Sequence, residues 1–232
     1  MIYFVTGIDT DIGKTYATGM LARYLQERRC RVITQKMVQT GNVGYSEDLE
    51  LHRRLMGGVR FPEDDEKLTW PAVFRFPASP HLAAELEGRT VDLPAIAAAT
   101  RELDRRYDIV LVEGAGGPGV PLTRDLYVAD YLAQQQYPVI LVTSGRLGSI
   151  SHTFLALEAF ARRGVTVCGL VYNLAAAADP VIAGDTRTVL LGQMRRFGFP
   201  EILVELPEVR PDKPAAAPDF SAIFAGGGHA GR

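Results

Sequence analysis

Short apolar, mostly β-branched runs recur at 2–6, 31–36, 108–113, 138–143, 166–172 and 201–205 of this 232-residue chain. Each reads as a strand buried on both faces. Between them the spacing changes. Ala17, Met20, Leu21, Tyr24 and Leu25 fall three and four residues apart, as on one face of a helix, and Leu155, Leu157, Phe160 and Ala161 do so less regularly. Further helices are expected over 46–56, 80–87 and 93–103, and a short strand at 72–76. Strands alternating with helices predict an α/β fold, a doubly wound, mostly parallel sheet flanked by helices, whose ligands bind beyond the carboxyl ends of the strands. No linker divides the middle, so residues 1–210 are expected to form one domain. From 211 onward Pro, Ala and Gly dominate, which predicts a flexible tail over 211–232.

Hydrophobic residues at 47% and charged residues at 22% suit a chain that buries a sizeable core. A net charge of −2 offers no basic field, so nucleic acid is not an expected partner. Cys30 and Cys168 have no metal-ligand spacing and read as free thiols of a reducing compartment. No signal-peptide pattern precedes the first strand, and no apolar run approaches the roughly 18 residues that cross a membrane. A cytoplasmic protein is expected.

The candidate chemistry begins in Gly7-Ile-Asp-Thr-Asp-Ile-Gly13-Lys14-Thr15, where a strand feeds a loop that opens a helix. Gly13 lets the backbone approach phosphate oxygens, the helix start adds N–H groups, Lys14 can reach the β and γ phosphates, and Thr15 can ligate magnesium. The glycines enclose five residues where the common phosphate-loop pattern has four. Glu113 ends an apolar run ahead of Gly114-Ala-Gly-Gly117, where a magnesium-ligating carboxylate belongs. Asp48 stands behind Ser46 in a helix's first turn, where acid is favoured in any case, and on spacing alone that capping role is favoured. Lys36 ends the second strand, with a solvated lysine as its default reading. His52, His81 and His152 form no triad, so nucleophilic catalysis by the protein is disfavoured.

The ordered segments "TGIDTDIGKT", "QKMVQTG", "SEDLELHR", "SPHLAAE", "VEGAGG", "VPLT", "LVTSGRLGSISHT" and "VYN", spread from residue 5 to 173, resemble the dethiobiotin synthetase family of P-loop NTPases. The C-terminal fifth matches poorly. The resemblance implies a ligase that uses ATP and Mg2+ to join CO2 to 7,8-diaminopelargonate and close a ureido ring. It implies nucleotide contacts from Asp11, Ile12, Gly13, Lys14 and Thr15, with Asn173 reading adenine and Pro207 in the same set. It gives Thr15, Asp48 and Glu113 to the metal, and makes Lys36 and Lys14 the catalytic residues, Lys36 at the carbamate. Thr40 keeps a hydroxyl toward substrate. Gly148, Ser149, Ile150 and Ser151 are expected to bind the substrate carboxylate across the interface of a homodimer with shared active sites. Met37, Pro118 and Ser151 depart from the frequent family residues, and none of these changes removes a charge. A switch ATPase of the ParA/MinD type shares the fold and is the competing reading, as is a catalytically silent homologue. The phosphate loop here lacks the extra lysine that such switches carry near its start.

Overall fold

The structure, a computed structural model, describes residues 1–175, 179–210 and 216–225. In chain order its elements are β1 (Ile2–Gly7), α1 (Lys14–Glu27), β2 (Val32–Lys36), β3 (Gln39–Thr40), α2 (Glu47–Leu55), α3 (Pro62–Asp65), β4 (Val73–Phe74), α4 (Pro80–Leu86), α5 (Leu93–Arg106), β5 (Ile109–Glu113), α6 (Val128–Gln135), β6 (Val139–Ser144), α7 (Ser149–Ala161), β7 (Val167–Asn173), α8 (Pro180–Arg196), β8 (Leu203–Leu206) and α9 (Ser221–Ala225).

Six strands form one parallel sheet in the order β2-β5-β1-β6-β7-β8. The alternation of side chains sorts their residues between two apolar layers. Phe4, Val110, Val112 and Leu141 pack with Ile96 and Leu103 of α5, Leu132 of α6, and Leu157 and Phe160 of α7. Tyr3, Val5, Leu111 and Val142 pack on the other side, with Met20 and Leu21 of α1. Both faces of the inner strands are therefore covered, which is why they read as continuous apolar runs. The run at 201–205 is corrected, since β8 at the sheet edge has Leu203 and Val204 only half-buried and Glu205 exposed.

Register aligns the carboxyl ends. Lys36 pairs with Glu113 across β2 and β5, Val5 with Glu113 across β1 and β5, and Ser144 with Asn173 across β6 and β7. Residues opposite one another in neighbouring strands point to the same face, so Lys36 and Glu113 emerge side by side.

The helices expected over 46–56, 80–87 and 93–103 are α2, α4 and α5, and the strand at 72–76 shrinks to β4, paired with β3 in a separate two-stranded parallel sheet. The apolar spacing does not single out α6 and α8. In α8 only Thr186, Leu190, Gln193 and Met194 are buried, while Val181 and Ile182 face outward, so its apolar stripe is thin and mixed.

The expectation of a flexible tail is corrected over 216–225. Phe220 and Ile223 are fully buried, Phe220 lies edge-on to Tyr24 with ring centroids 5.6 Å apart, and Phe224 lies edge-on to Tyr3 at 5.2 Å. The Tyr24 hydroxyl donates to Asp219 at 2.9 Å, fixing the approach of this segment. The Pro-Ala-Gly composition hid three large apolar residues spaced to fill the gap between α1 and β7. Residues 211–215 and 226–232 of the expected tail lie outside the described residues.

Phe220→Ala is expected to destabilise the protein by about 3–5 kcal/mol, the ordinary result of emptying a buried phenylalanine site. A denaturation midpoint equal to that of the unaltered protein would mean that the segment does not close the core.

Candidate active site

The turn after β1 is built for anions. Gly13 adopts φ 97°, Asp11 stands at φ 54°, and no side chain caps the first amides of α1. The first turn of α1 also carries no acidic residue. Exposed N–H groups and the positive end of the helix dipole therefore face the same opening. Glycine is required at position 13 twice over: the left-handed φ excludes most residues, and a Cβ there would stand 2.3 Å from Asn173 Nδ2. That amide donates to the Ile12 carbonyl at 2.9 Å, tying the end of β7 to the loop. Lys14 folds back over the turn, its Nζ donating to the Asp9 carbonyl at 2.8 Å. Burial, helped by the nearby Lys36 charge, lowers the Lys14 pKa from the ordinary lysine value. An ammonium so poorly solvated gains most from an incoming anion.

Beside the loop stands a buried charge cluster. Lys36 Nζ lies 2.7 Å from Glu113 Oε1, 2.6 Å from Asp48 Oδ2 and 3.2 Å from the Gly114 carbonyl. Burial alone would push the Glu113 carboxyl up; the Lys36 charge and a hydrogen bond from His52 outweigh it and hold the group well below the usual carboxylate range. Burial likewise works against the Lys36 ammonium, yet Glu113 and Asp48 together raise its pKa. Each charge is tolerable because the other is there. Thr15 Oγ1 sits 3.0 Å from Asp48 Oδ1 and 3.1 Å from Glu113 Oε1. One hydroxyl proton cannot serve both carboxylates at once, so the corner is rich in oxygen lone pairs.

Asp48 arrives through α2. Ser46 caps that helix by accepting from Leu49 N at 3.2 Å, as expected, but the Asp48 carboxylate turns onto Lys36 and Thr15. The helix comes close enough because Gly19 on α1 has no side chain. A Cβ there would stand 2.5 Å from Leu55 Cδ1 and 2.9 Å from Leu55 Cβ.

A cleft of about 680 Å³ opens above these groups, lined by Asp11, Gly13, Lys14, Thr15, Lys36, Thr40, Asp48 and Glu113, and closed at its far side by Pro77–Pro80. Eight of the residues assigned from sequence thus share one cavity. Ile12 does not line the cleft, its side chain being buried in the apolar layer that includes α1. Asn173 touches the phosphate loop, and Pro207 follows Leu206, which pairs with Asn173 in the sheet, but neither lines the cleft. Nor do Gly148, Ser149, Ile150 and Ser151. Gly148 stands at φ 91° ahead of α7, Ser149 is buried with its Oγ 3.0 Å from Ser144 Oγ, and Ile150 and Ser151 face outward.

Sequence reasoning missed His52 and the lining residues Ser79 and Pro80. His52 is fully buried and bridges Glu113 Oε2 at 2.7 Å and Thr34 Oγ1 at 3.1 Å. Its signal was available: His52 lies four residues after Asp48, hence on the same face of α2. The cysteines stay apart from the site, and burial pushes the Cys168 thiol up to about 11, away from nucleophilic use. Among the described residues no helix is long and apolar enough to cross a membrane.

A parallel sheet that delivers a glycine loop, a lysine and two carboxylates to one edge defines a P-loop protein fitted to phosphoryl transfer. Residues 2–211 match the family described as AAA domain. The chain is 51% identical over 197 residues to the ATP-dependent dethiobiotin synthetase BioD of Chlorobaculum tepidum, covering 85% of this chain and 82% of that one. It is 48% identical over 205 residues to ATP-dependent dethiobiotin synthetase BioD 2 of Pasteurella multocida, with 88% and 96% covered. The Haemophilus influenzae protein of the same name is 49% identical over 172 residues, with 74% and 90% covered. The chain belongs to the ATP-dependent dethiobiotin synthetase family.

Lys36→Met leaves Glu113 buried without its counter-charge and is expected to cost about 3–5 kcal/mol near neutral pH. In the unaltered protein the depressed Glu113 pKa contributes stability that is present above the ordinary carboxylate pKa and lost as pH falls through the folded value. In the variant the carboxyl instead prefers to be protonated, so the deficit should shrink as pH falls. Melting temperatures of both proteins across the acid range check this; a pH-independent difference would refute the coupling.

Proposed function

We propose that this protein is an ATP-dependent dethiobiotin synthetase, a ligase that forms the ureido ring of dethiobiotin from 7,8-diaminopelargonate and CO2 with Mg2+ in attendance. The observation that carries the reading is the convergence of Lys14, Thr15, Lys36, Asp48 and Glu113 on one cleft. The kinship to proteins of that name supports it.

In the first step one substrate amine adds to CO2 and loses a proton, leaving a carbamate. A carbamate oxygen then attacks the γ phosphorus of ATP and ADP departs, giving a carbamic-phosphoric anhydride. Finally the second amine attacks the carbamoyl carbon, the ring closes and phosphate leaves. Every step moves negative charge, and none needs a protein nucleophile. Lys14 and the first amides of α1 hold the phosphates. Lys36 holds the carbamate against the transferring group, its ammonium kept charged by Glu113 and Asp48. Thr40, at the end of β3, offers a hydroxyl to the substrate. Asn173 and Pro207 bound the adenine side.

Magnesium bound at this site would neutralise phosphate charge. Thr15, Asp48 and Glu113 would hold it. Among the described residues no cluster of three or more His, Cys, Asp or Glu side chains could hold an ion, but Mg2+ at a nucleotide needs only one or two carboxylates with phosphate and water. The oxygen-rich corner at Thr15 fits that demand. We place the protein in the cytoplasm, in keeping with its two free cysteines.

Phosphate release should require both 7,8-diaminopelargonate and bicarbonate, with dethiobiotin identified by mass. Lys14→Ala should slow it by about 3 kcal/mol in the barrier or more, with circular dichroism unchanged. Release independent of the diamine would instead point to a switch ATPase.

The absence of Gly148–Ser151 from the cleft of their own chain fits a homodimer in which these residues serve the neighbour's substrate carboxylate. Ser151 faces outward, so Ser151→Asp should raise KM for the diamine while sparing ATP. Mixing Ser151→Asp subunits with Lys36→Ala subunits would then leave one intact site in each mixed dimer. Random pairing should restore roughly a quarter of normal sites. No recovery, with mixed dimers verified by mass, would mean that each chain binds the carboxylate alone.

A further inference from the structure

His52 is a buried titratable side chain that the chemistry above does not use, and its hydrogen bonds form a directed chain. Arg53 Nη1 donates to Thr34 Oγ1 at 2.8 Å, while the same guanidinium is held by Asp64 at 2.7 and 2.9 Å. With an oxygen lone pair of Thr34 so occupied, its hydroxyl proton is free to point at His52 Nδ1, 3.1 Å away. Nδ1 then accepts, and the Nε2 hydrogen donates to Glu113 Oε2 at 2.7 Å. Glu113 has no exposed surface. Its Oε1 serves Lys36 and Thr15, and among the described residues His52 supplies the donor to Oε2.

We propose that His52, oriented by Thr34, is a positioning residue of this active site: by engaging Oε2 of Glu113 it commits Oε1 to the cleft, facing Thr15 and Lys36. The inference rests on the reading of Glu113 as a metal-holding carboxylate. A carboxylate with a free second oxygen can rotate about its last bond, and the oxygen that faces the cleft is then not fixed. Partners of this kind, one shell removed from a ligand, act on the ligand's orientation rather than on the reacting atoms. His52 lies one turn beyond Asp48 on α2, so the same short helix sets both carboxylates.

The substitutions that separate orientation from packing are His52→Gln, whose amide nitrogen reaches where Nε2 stood, and His52→Asn, whose shorter amide reaches toward Thr34 and not Glu113. His52→Leu removes both hydrogen bonds, and Glu113→Gln serves as the reference. Four quantities are measured: melting temperature, kcat and KM of diamine- and bicarbonate-dependent phosphate release, metal-free ATP binding by calorimetry, and Mg2+ binding to the nucleotide-loaded protein without diamine. His52→Asn and His52→Leu should lower kcat on the order of 10–100-fold and weaken Mg2+ binding, with metal-free ATP binding unchanged. His52→Gln should restore both. If His52→Leu fails to fold, the contrast of Asn with Gln carries the same test. Equal impairment of the Gln and Asn variants in step with their loss of stability, or normal kcat and Mg2+ binding in folded His52→Asn, would overturn the proposal. Full activity of Glu113→Gln would overturn the metal reading beneath it, a result distinguishable because it does not depend on His52.

Discussion

The ion pair between Lys36 and Glu113 is the constraint on which the site depends. Two charges at the ends of adjacent buried strands would each be costly alone, and together they fix one another in register. A buried pair of this kind is weak as a source of stability but strong as a constraint, because any slip of β2 against β5 would leave both charges unmatched. Asp48 joins from outside the sheet and adds a second anion to the same ammonium. The position of α2 is therefore tied to the register of the sheet, and the missing side chain at Gly19 gives that helix the room to approach.

The phosphate loop follows a different logic. Its geometry comes from the backbone, with positive φ at Asp11 and Gly13 and a helix start that no side chain caps. The extra residue between the glycines does not disturb this, because Lys14 closes the turn by reaching the Asp9 carbonyl. Lys14 and Lys36 are both buried cations, yet they differ in kind. Lys36 is neutralised by two carboxylates, whereas Lys14 has a carbonyl as its near partner and a lowered pKa. The first is held in place; the second is held ready for an anion.

Most of the fold could be read from the chain because five of the sheet's six strands are buried along nearly their whole length and so announce themselves as apolar runs, whereas the edge strand β8 is only partly covered. The phosphate loop was equally legible, since its residues are contiguous. What was harder to read had a common cause. Asp48 meets Thr15 and Lys36, His52 meets Glu113, and Thr34 meets His52, all between residues far apart in the chain, and each has an innocuous local explanation: an acidic first helical turn, a histidine in a helix, a threonine in a strand. Helix α8 was obscured by its thin apolar stripe, and the 216–225 segment by prolines and alanines around Phe220, Ile223 and Phe224. Composition speaks for the average of a segment, but packing is decided by its few large side chains.

The division of the carboxyl edge has a consequence for how the chemistry is shared. The β1, β2 and β5 ends carry the phosphate loop, Lys36 and Glu113, whose charges are matched within this chain. The β6 end leads instead into Gly148 and the start of α7, a turn with a left-handed φ and an uncapped helix start whose residues do not line the cleft. Exposed Leu147, Ile150 and Leu155 surround it, an apolar setting unusual for a segment meant only to meet water. Groups that transfer phosphate must be set to within fractions of an ångström and so belong on one rigid sheet edge. Anchoring the distant carboxylate of a long, flexible substrate tolerates a looser geometry. In the homodimer we propose, that task falls to a second copy of the chain without loss of precision at the reacting atoms.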